Sequence, residues 1–179
     1  MEKTNSYTKK KISLRKITKE NLKILLKWRN TESIWKNNTQ FVLLNSKDQI
    51  KWYNEINQKK SNRVMFIINY NQKPIGVCGL IHLNKVKKSA DIAIIIGETK
   101  FQNKGIGKKC LKQLLEYGFI KLDMHRITAE VLEFNINSRE FFYKMNFKYE
   151  GILRENMWRD GKWHHTEIYS ILKNEFKKI

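Results

Sequence analysis

The chain has one proline, two cysteines and eight glycines in 179 residues, and its acids are outnumbered by its bases, 17 to 36. Two cysteines are too few for a disulfide-stapled scaffold or a four-thiolate zinc site. Cys78 falls in an apolar run and Cys110 on the apolar side of a helical stretch, so both are expected as reduced core residues. The low Pro and Gly content excludes a collagen-like or linker-rich chain. No apolar run approaches the ~20 residues that span a bilayer. Residues 1–11 are polar and charged, without the apolar centre of a secretory signal. A cytoplasmic protein with no membrane partner is expected, with 1–11 disordered or loosely packed. His82, His125, His164 and His165 show no i, i+4 ligand spacing and no flanking carboxylate cluster, so no metal is expected.

What is present is a folded composition, with 41% hydrophobic and 12% aromatic residues, at a length that suits one domain over 1–179. The formal net charge is +19. It raises the local concentration of anions and disfavours polycationic ligands such as polyamines and aminoglycosides. The bases are mostly lysines spread along the whole chain, with no arginine or aromatic stripe of the kind that reads bases, so nucleic acid is not the expected partner.

Periodicity places the elements. Residues 12–15 read as a strand, and Thr18 caps a helix with Leu22, Leu25, Leu26 and Trp28 on its apolar side. Residues 31–45 form an irregular linker with a short helical turn. Ser46 and Gln49 make a capping box before Ile50, Trp52, Tyr53 and Ile56. Stretches 63–70, 75–83 and 90–96 read as an antiparallel meander, with a turn at Asn71-Gln72-Lys73-Pro74 and a lysine-rich loop at 84–89. Ile106, Cys110, Leu111, Leu114, Leu115 and Phe119 then recur at helical spacing, and 126–133 alternates as a strand. That strand-helix-strand order predicts a parallel pair with a right-handed crossover. Asn137 and Glu140 form another capping box before Phe141, Phe142 and Met145, and Asp160-Gly161 is a hairpin turn between strands at 151–158 and 163–172. The order describes an α/β (α+β) single domain.

The most informative stretch is Gln102-Asn103-Lys104-Gly105-Ile106-Gly107, where a strand ends in a glycine turn and a helix begins. Such a junction aims several backbone N–H groups at one point, which suits a phosphate. Lys108 and Lys109 add positive charge in the first helical turn, unfavourable unless an anion docks there. There is no third glycine of a dinucleotide fingerprint and no Gly-Lys-Ser/Thr of a P-loop.

The stretch resembles the Gln/Arg-x-x-Gly-x-Gly/Ala pyrophosphate loop of the GNAT superfamily of acyl-CoA-dependent N-acetyltransferases. The resemblance implies a central mixed, mostly antiparallel sheet, splayed between two parallel strands and flanked by helices. It implies acetyl-CoA as cosubstrate, its pyrophosphate on Gln102, Asn103, Lys104, Gly105, Ile106, Gly107 and Lys108 and its pantetheine arm along the strand carrying Ile95 and Gly97. Glu130-Val131-Leu132-Glu133-Phe134-Asn135 followed by Ser138 is similar to the family's second motif. By that likeness Asn135 contacts the pantetheine amides and Ser138 the cofactor's phosphate or amide groups. Glu130 stands where some members place the general base, directly or through a water; a solvated structural glutamate is the competing reading. The tyrosine that many members use to protonate the thiolate is replaced by Phe142, with Tyr143 next to it, and the terminal Gly-Phe is Asn146-Phe147. Either Tyr143 serves in a shifted register or water does, with Phe142 packing beside the cofactor.

Trp28-Arg29-Asn30 resembles the first-helix motif of two GNAT branches, one acetylating UDP-linked 4-amino-deoxy sugars and one acetylating protein N-termini, ribosomal ones in particular. Trp28, Arg29, Asn30 and Arg154 are thus candidate acceptor residues, with core packing the competing role for Trp28 and Glu32 a candidate partner for Arg29. The charge favours an anionic small-molecule amine, best a nucleotide-linked amino-deoxy sugar. The alternatives are ribosomal-protein N-terminal acetylation and, in another class, a non-catalytic acyl-CoA-binding module. A homodimer is a family-level expectation.

Overall fold

The computed structural model describes residues 12–39 and 41–176; the expectation for 1–11 lies outside them. A seven-stranded sheet in the order β1-β2-β3-β4-β5-β7-β6 forms the centre of the fold. Its strands are β1 (Ile12–Lys16), β2 (Val64–Tyr70), β3 (Lys73–Asn84), β4 (Ser89–Ile96), β5 (Arg126–Leu132), β6 (Lys148–Arg159) and β7 (Lys162–Leu172). Every neighbouring pair is antiparallel except β4 and β5. The helices are α1 (Leu22–Arg29), α2 (Glu32–Trp35), α3 (Ser46–Ile56), α4 (Ile106–Glu116), α5 (Ile136–Lys144) and α6 (Lys173–Phe176).

Strand alternation divides the apolar residues between two faces. On one face, Ile68, Cys78, Leu80 and Ile127 pack against Cys110, Leu111, Leu114 and Leu115 of α4 and against Phe142 of α5. On the other, Ile67 and Val77 pack against Leu25 and Trp28 of α1 and Ile34 of α2. The first face is closed by α4 and α5. The second is covered only in part, by α1 to α3, and the site opens there. Both cysteines are free and buried, and burial pushes the Cys110 thiol up to about 12 and raises that of Cys78 well above the ordinary thiol range.

The turns obey their residues. Asn71 and Gln72 take left-handed angles (φ 48° and 66°), as do Asp160 and Gly161 (φ 50° and 75°), the geometry that joins two antiparallel strands in two residues. The first turn is thus shorter than 71–74: Lys73 and Pro74 already belong to β3, and Pro74 sits beside a register shift where a missing N–H is tolerated. Two helix caps stand earlier than the sequence pattern placed them, and only the first is a capping box. Asn45 rather than Ser46 caps α3, its Oδ1 accepting from the Lys47 and Asp48 amides at 2.8 and 3.1 Å. Asn135 rather than Asn137 caps α5 through the Ser138 amide, while Glu140 pairs with Lys144 at 2.6 Å. In both cases a neighbouring polar residue one or two positions earlier had the shorter reach to the orphan amides. Ile50 consequently turns outward, and Gln49, 1% exposed, takes the inner position on α3.

Asp123 ties the loop before β4 to the start of α6 through Lys88 Nζ at 2.7 Å and Lys173 Nζ at 2.5 Å. Those hydrogen bonds, Lys173 first, pull its carboxyl down to about 2. A depressed folded-state value means the contribution is complete above the ordinary aspartate range and is lost as pH falls toward 2. We expect Asp123→Asn to flatten the fall in thermal midpoint between about pH 4 and 2 relative to wild type, measured by circular dichroism melts across that range.

Candidate active site

β4 and β5 are paired over only three residues, Ser89 to Asp91 against Arg126 to Thr128. Beyond Asp91 and Thr128 the strands part. α4 crosses the first face from the end of one to the start of the other. A cavity of about 950 Å³ opens from the gap, lined by Ile92 to Ile96 on one side and Glu130 and Val131 on the other. The glycine turn forms its rim: Gln102, Asn103, Gly105, Gly107 and Lys108 all line it. Gly105 is the N-cap of α4 at φ 71°, a left-handed angle suited to glycine. The Gln102 amide donates to the Ile96 carbonyl at 2.8 Å and folds the turn back onto the end of β4. The first-turn amides of α4 have no acceptor within the helix and lie at this rim.

Of the residues expected at the site, Arg29, Ile95, Glu130, Asn135, Ser138 and Phe142 also line the cavity. Asn135 is already engaged: besides capping α5, its Nδ2 donates to the Asn37 carbonyl at 3.1 Å. Others are placed elsewhere, and each correction has a local cause. Tyr143 is 75% exposed on the outer side of α5, since one helical step from the buried Phe142 turns it by about 100°. Trp28 is buried in the core, and its Nε1 donates to Glu98 Oε1 at 3.0 Å. Gly97 is the floor beneath it: a Cβ there would lie 2.2 Å from the Trp28 ring. Asn30 clamps the linker, donating to the Leu44 carbonyl and accepting from the Leu44 amide at 2.7 and 2.9 Å. The Ile106 side chain enters the core, leaving that residue's part to its amide, and the Lys104 and Arg154 side chains are exposed away from the lining. Glu32 pairs with Lys36 at 2.5 Å rather than with Arg29.

Several lining residues carry no sequence motif, and others have partners that their motifs do not show. Arg29 Nη1 donates to Gln49 Oε1 at 3.3 Å, and the guanidinium lies 5.4 Å from the Trp52 ring centre. Arg63, at the foot of β2, lines the same wall with Asp48 and Lys51. Burial holds the Arg29 guanidinium below the usual arginine range, the like charge of Arg63 lowers it further, and Asp48 opposes. At the parting of the strands, Glu130 Oε1 accepts from Asn156 Nδ2 at 2.8 Å, and His82 Nδ1 lies 2.8 Å from Asp91 Oδ2. The linker after α2 closes the remaining side, held from outside by the buried Arg159, whose guanidinium stacks 3.9 Å over Phe41. None of these pairings is visible in one dimension, because each joins residues from separate elements.

Against this geometry, the acetyltransferase (GNAT) domain profile matches residues 11–148. The chain belongs to the GNAT acetyltransferase family. It is 27% identical over 174 residues to the uncharacterised N-acetyltransferase p20 of Bacillus licheniformis, covering 95% of this chain and 97% of that one. Over 124 residues it is 26% identical to a spermidine N(1)-acetyltransferase of Vibrio cholerae, covering 69% and 71%. In fold it superposes with TM-score 0.86 on a Vibrio cholerae spermidine N-acetyltransferase solved with CoA and spermine, at 22% identity and covering 93% and 98%.

This acetyltransferase is acetyl-CoA-dependent. The residues present suit the cosubstrate: an open αL glycine with no atom within 4 Å of a built Cβ, helix amides and Lys108 for a diphosphate, and a parted pair of strands for an extended amide-bearing arm. When bound, it supplies an activated acetyl thioester. Among the described residues no group of three or more His, Cys, Asp or Glu is placed to hold a metal, and no helix is long and apolar enough to cross a membrane. Gly105→Val forces a β-branched residue to positive φ, at about 1–2 kcal/mol, and we expect CoA affinity by calorimetry to fall at least about tenfold. Gly97→Ala is expected to cost about 1–3 kcal/mol by overpacking Trp28, read by urea unfolding.

Proposed function

We propose that the enzyme acetylates a primary amine on a small acceptor that also carries an anion, with a nucleotide-linked amino-deoxy sugar the best-fitting class. The observation that carries this reading is the polarity of the cavity. Two guanidinium groups, Arg29 and Arg63, share the wall below α3 with Lys51, Asp48 and Glu55, while the carboxylates of Glu130 and Asp91 line the parting of β4 and β5. A dipolar acceptor satisfies both ends: its phosphate or diphosphate accepts charge-assisted hydrogen bonds from the arginines, and its ammonium meets Glu130. The repulsion between Arg29 and Arg63 is relieved by an anion and aggravated by a second ammonium.

The chain's own residues then act in sequence. The rim amides and Lys108 hold the diphosphate of the cosubstrate, and Ile95 offers strand backbone to its amide arm. Phe142 closes the apolar side beside it. Glu130, steadied by Asn156, orients the amine, and its carboxylate favours the developing positive charge on nitrogen. Tyr143 faces solvent, so protonation of the leaving thiolate falls to the amine's own proton or to water.

The Vibrio cholerae relative solved with spermine makes a polyamine the reading to test against. Release of free thiol from acetyl-CoA should be measured with UDP- and dTDP-linked amino sugars, spermidine and peptides bearing free N-termini. We expect the sugar nucleotides to give the highest kcat/KM. Arg63→Ala should raise their KM about tenfold to a hundredfold with little change in kcat, the signature of lost ground-state binding. Preference for spermidine, or an Arg63→Ala variant indistinguishable from wild type, would overturn the anionic acceptor.

A further inference from the structure

The backbone at His82 leaves the extended path of β3 at a positive φ. β3 keeps register with β4 as far as Ile81 opposite Asp91, then slips by one residue before Asn84 meets Ser89. His82 sits in that bulge at φ 51°, a left-handed angle uncommon for a residue with a side chain. In an unbroken strand it would follow Leu80 onto the core face, opposite the buried Ala90. The bulge instead turns it to the cavity face, where its Nδ1 meets Asp91 Oδ2 at 2.8 Å. His82, Asp91 and Glu130 line one cavity, and Asp91 and Glu130 share a sheet face because Asp91 pairs with Thr128, two residues before Glu130. Strain kept at such a place calls for a use.

We propose that His82, oriented by Asp91, takes the proton from the acceptor ammonium. The proposal rests on the reading of this cavity as the place of amine acetylation. With Nδ1–H donated to the Asp91 carboxylate, the lone pair is on Nε2, the ring nitrogen left to face the acceptor. The ammonium N–H bond breaks and the proton passes to Nε2, giving an imidazolium paired with Asp91. The freed nitrogen lone pair forms the C–N bond to the acetyl carbon as the C–S bond breaks. The sulfur leaves with its electron pair and takes the second nitrogen proton, and His82, which is exposed, returns the first to solvent. Glu130, whose Oε1 is committed to Asn156, provides the counter-charge that holds the ammonium. An imidazole is better matched than a carboxylate to draw a proton from an amine near neutral pH.

Two measurements test this. Nitrogen NMR of the histidine rings reads the tautomer without any acceptor: Nδ1–H is expected for His82 in the wild type, reverting toward Nε2–H in Asp91→Asn. With the best amine from the acceptor panel, His82→Asn, which tolerates the left-handed backbone, should lower kcat/KM about a hundredfold, with CoA affinity unchanged by calorimetry. Asp91→Asn should lower it about tenfold, and the double variant should be no worse than His82→Asn alone. Added imidazole should restore part of the activity of His82→Ala. An Nε2–H tautomer in the wild type, or a His82→Asn rate within twofold of wild type, would overturn the proposal. Silence toward every amine would instead sink the acceptor reading, and the tautomer would still decide for or against His82.

Discussion

Three residue pairs hold β4 to β5, and the cavity between the strands follows from their being only three. A longer ladder would close the sheet and satisfy the backbone of both strands internally. A shorter one would let the two halves of the sheet separate. As it stands, the ladder is anchored at one end, where Ala90 and Ile127 are buried under α4, and β5 is carried away by its long antiparallel pairing with β7. The backbone edges exposed by the parting are the surface on which an extended, amide-rich molecule can lie. α4 spans the split on the far face and brings its N-terminal amides to the rim, so the glycine junction and the slot belong to one construction.

The wall on the second face is built differently: α1, the short α2, the linker behind it and α3 stand over the strands there. That linker is held at three separated points: by Asn30 at Leu44, by Asn135 at Asn37, and by Arg159 against Phe41. Each clamp spends a polar side chain on otherwise unpaired backbone or on an aromatic face. The position of the wall therefore depends on elements far apart in the chain, including the β6–β7 hairpin, which the Asp160-Gly161 turn holds in register only from Arg159 opposite Lys162 to Met157 opposite His164.

Net charge and local charge carry different information here. A formal +19 spread over lysines sets a long-range field that draws in anions of any kind, and salt screens it within about 8 Å. The cavity is not uniformly positive: Glu130 and Asp91 stand where the strands part, and Asp48 and Glu55 stand with Arg29, Arg63 and Lys51 below α3. Local charge is set instead by burial and close neighbours: burial disfavours the Arg29 charge, Arg63 disfavours it further and Asp48 opposes both.

The sequence alone determined most of the elements and the glycine junction that opens α4 at the cavity rim. The 3.6 and 2.0 periodicities, the paired positive-φ turns and the glycine junction at 102–107 are local properties, set by residues within a few positions of one another. For the same reason Gly105, Gly107 and Lys108 stood out in one dimension. Tertiary structure alone decided which of the other candidates meet. Trp28, Asn30 and Gly97 look functional by motif, but packing assigns them to the core and to a linker clamp. Arg63, His82 and Asp91 carry no motif and are brought to the cavity by strand register and a one-residue bulge. Register and helical phase depend on pairing between distant segments, and a shift of a single residue reverses the face on which a side chain stands. That is why Phe142 lines the cavity while Tyr143, its neighbour, does not.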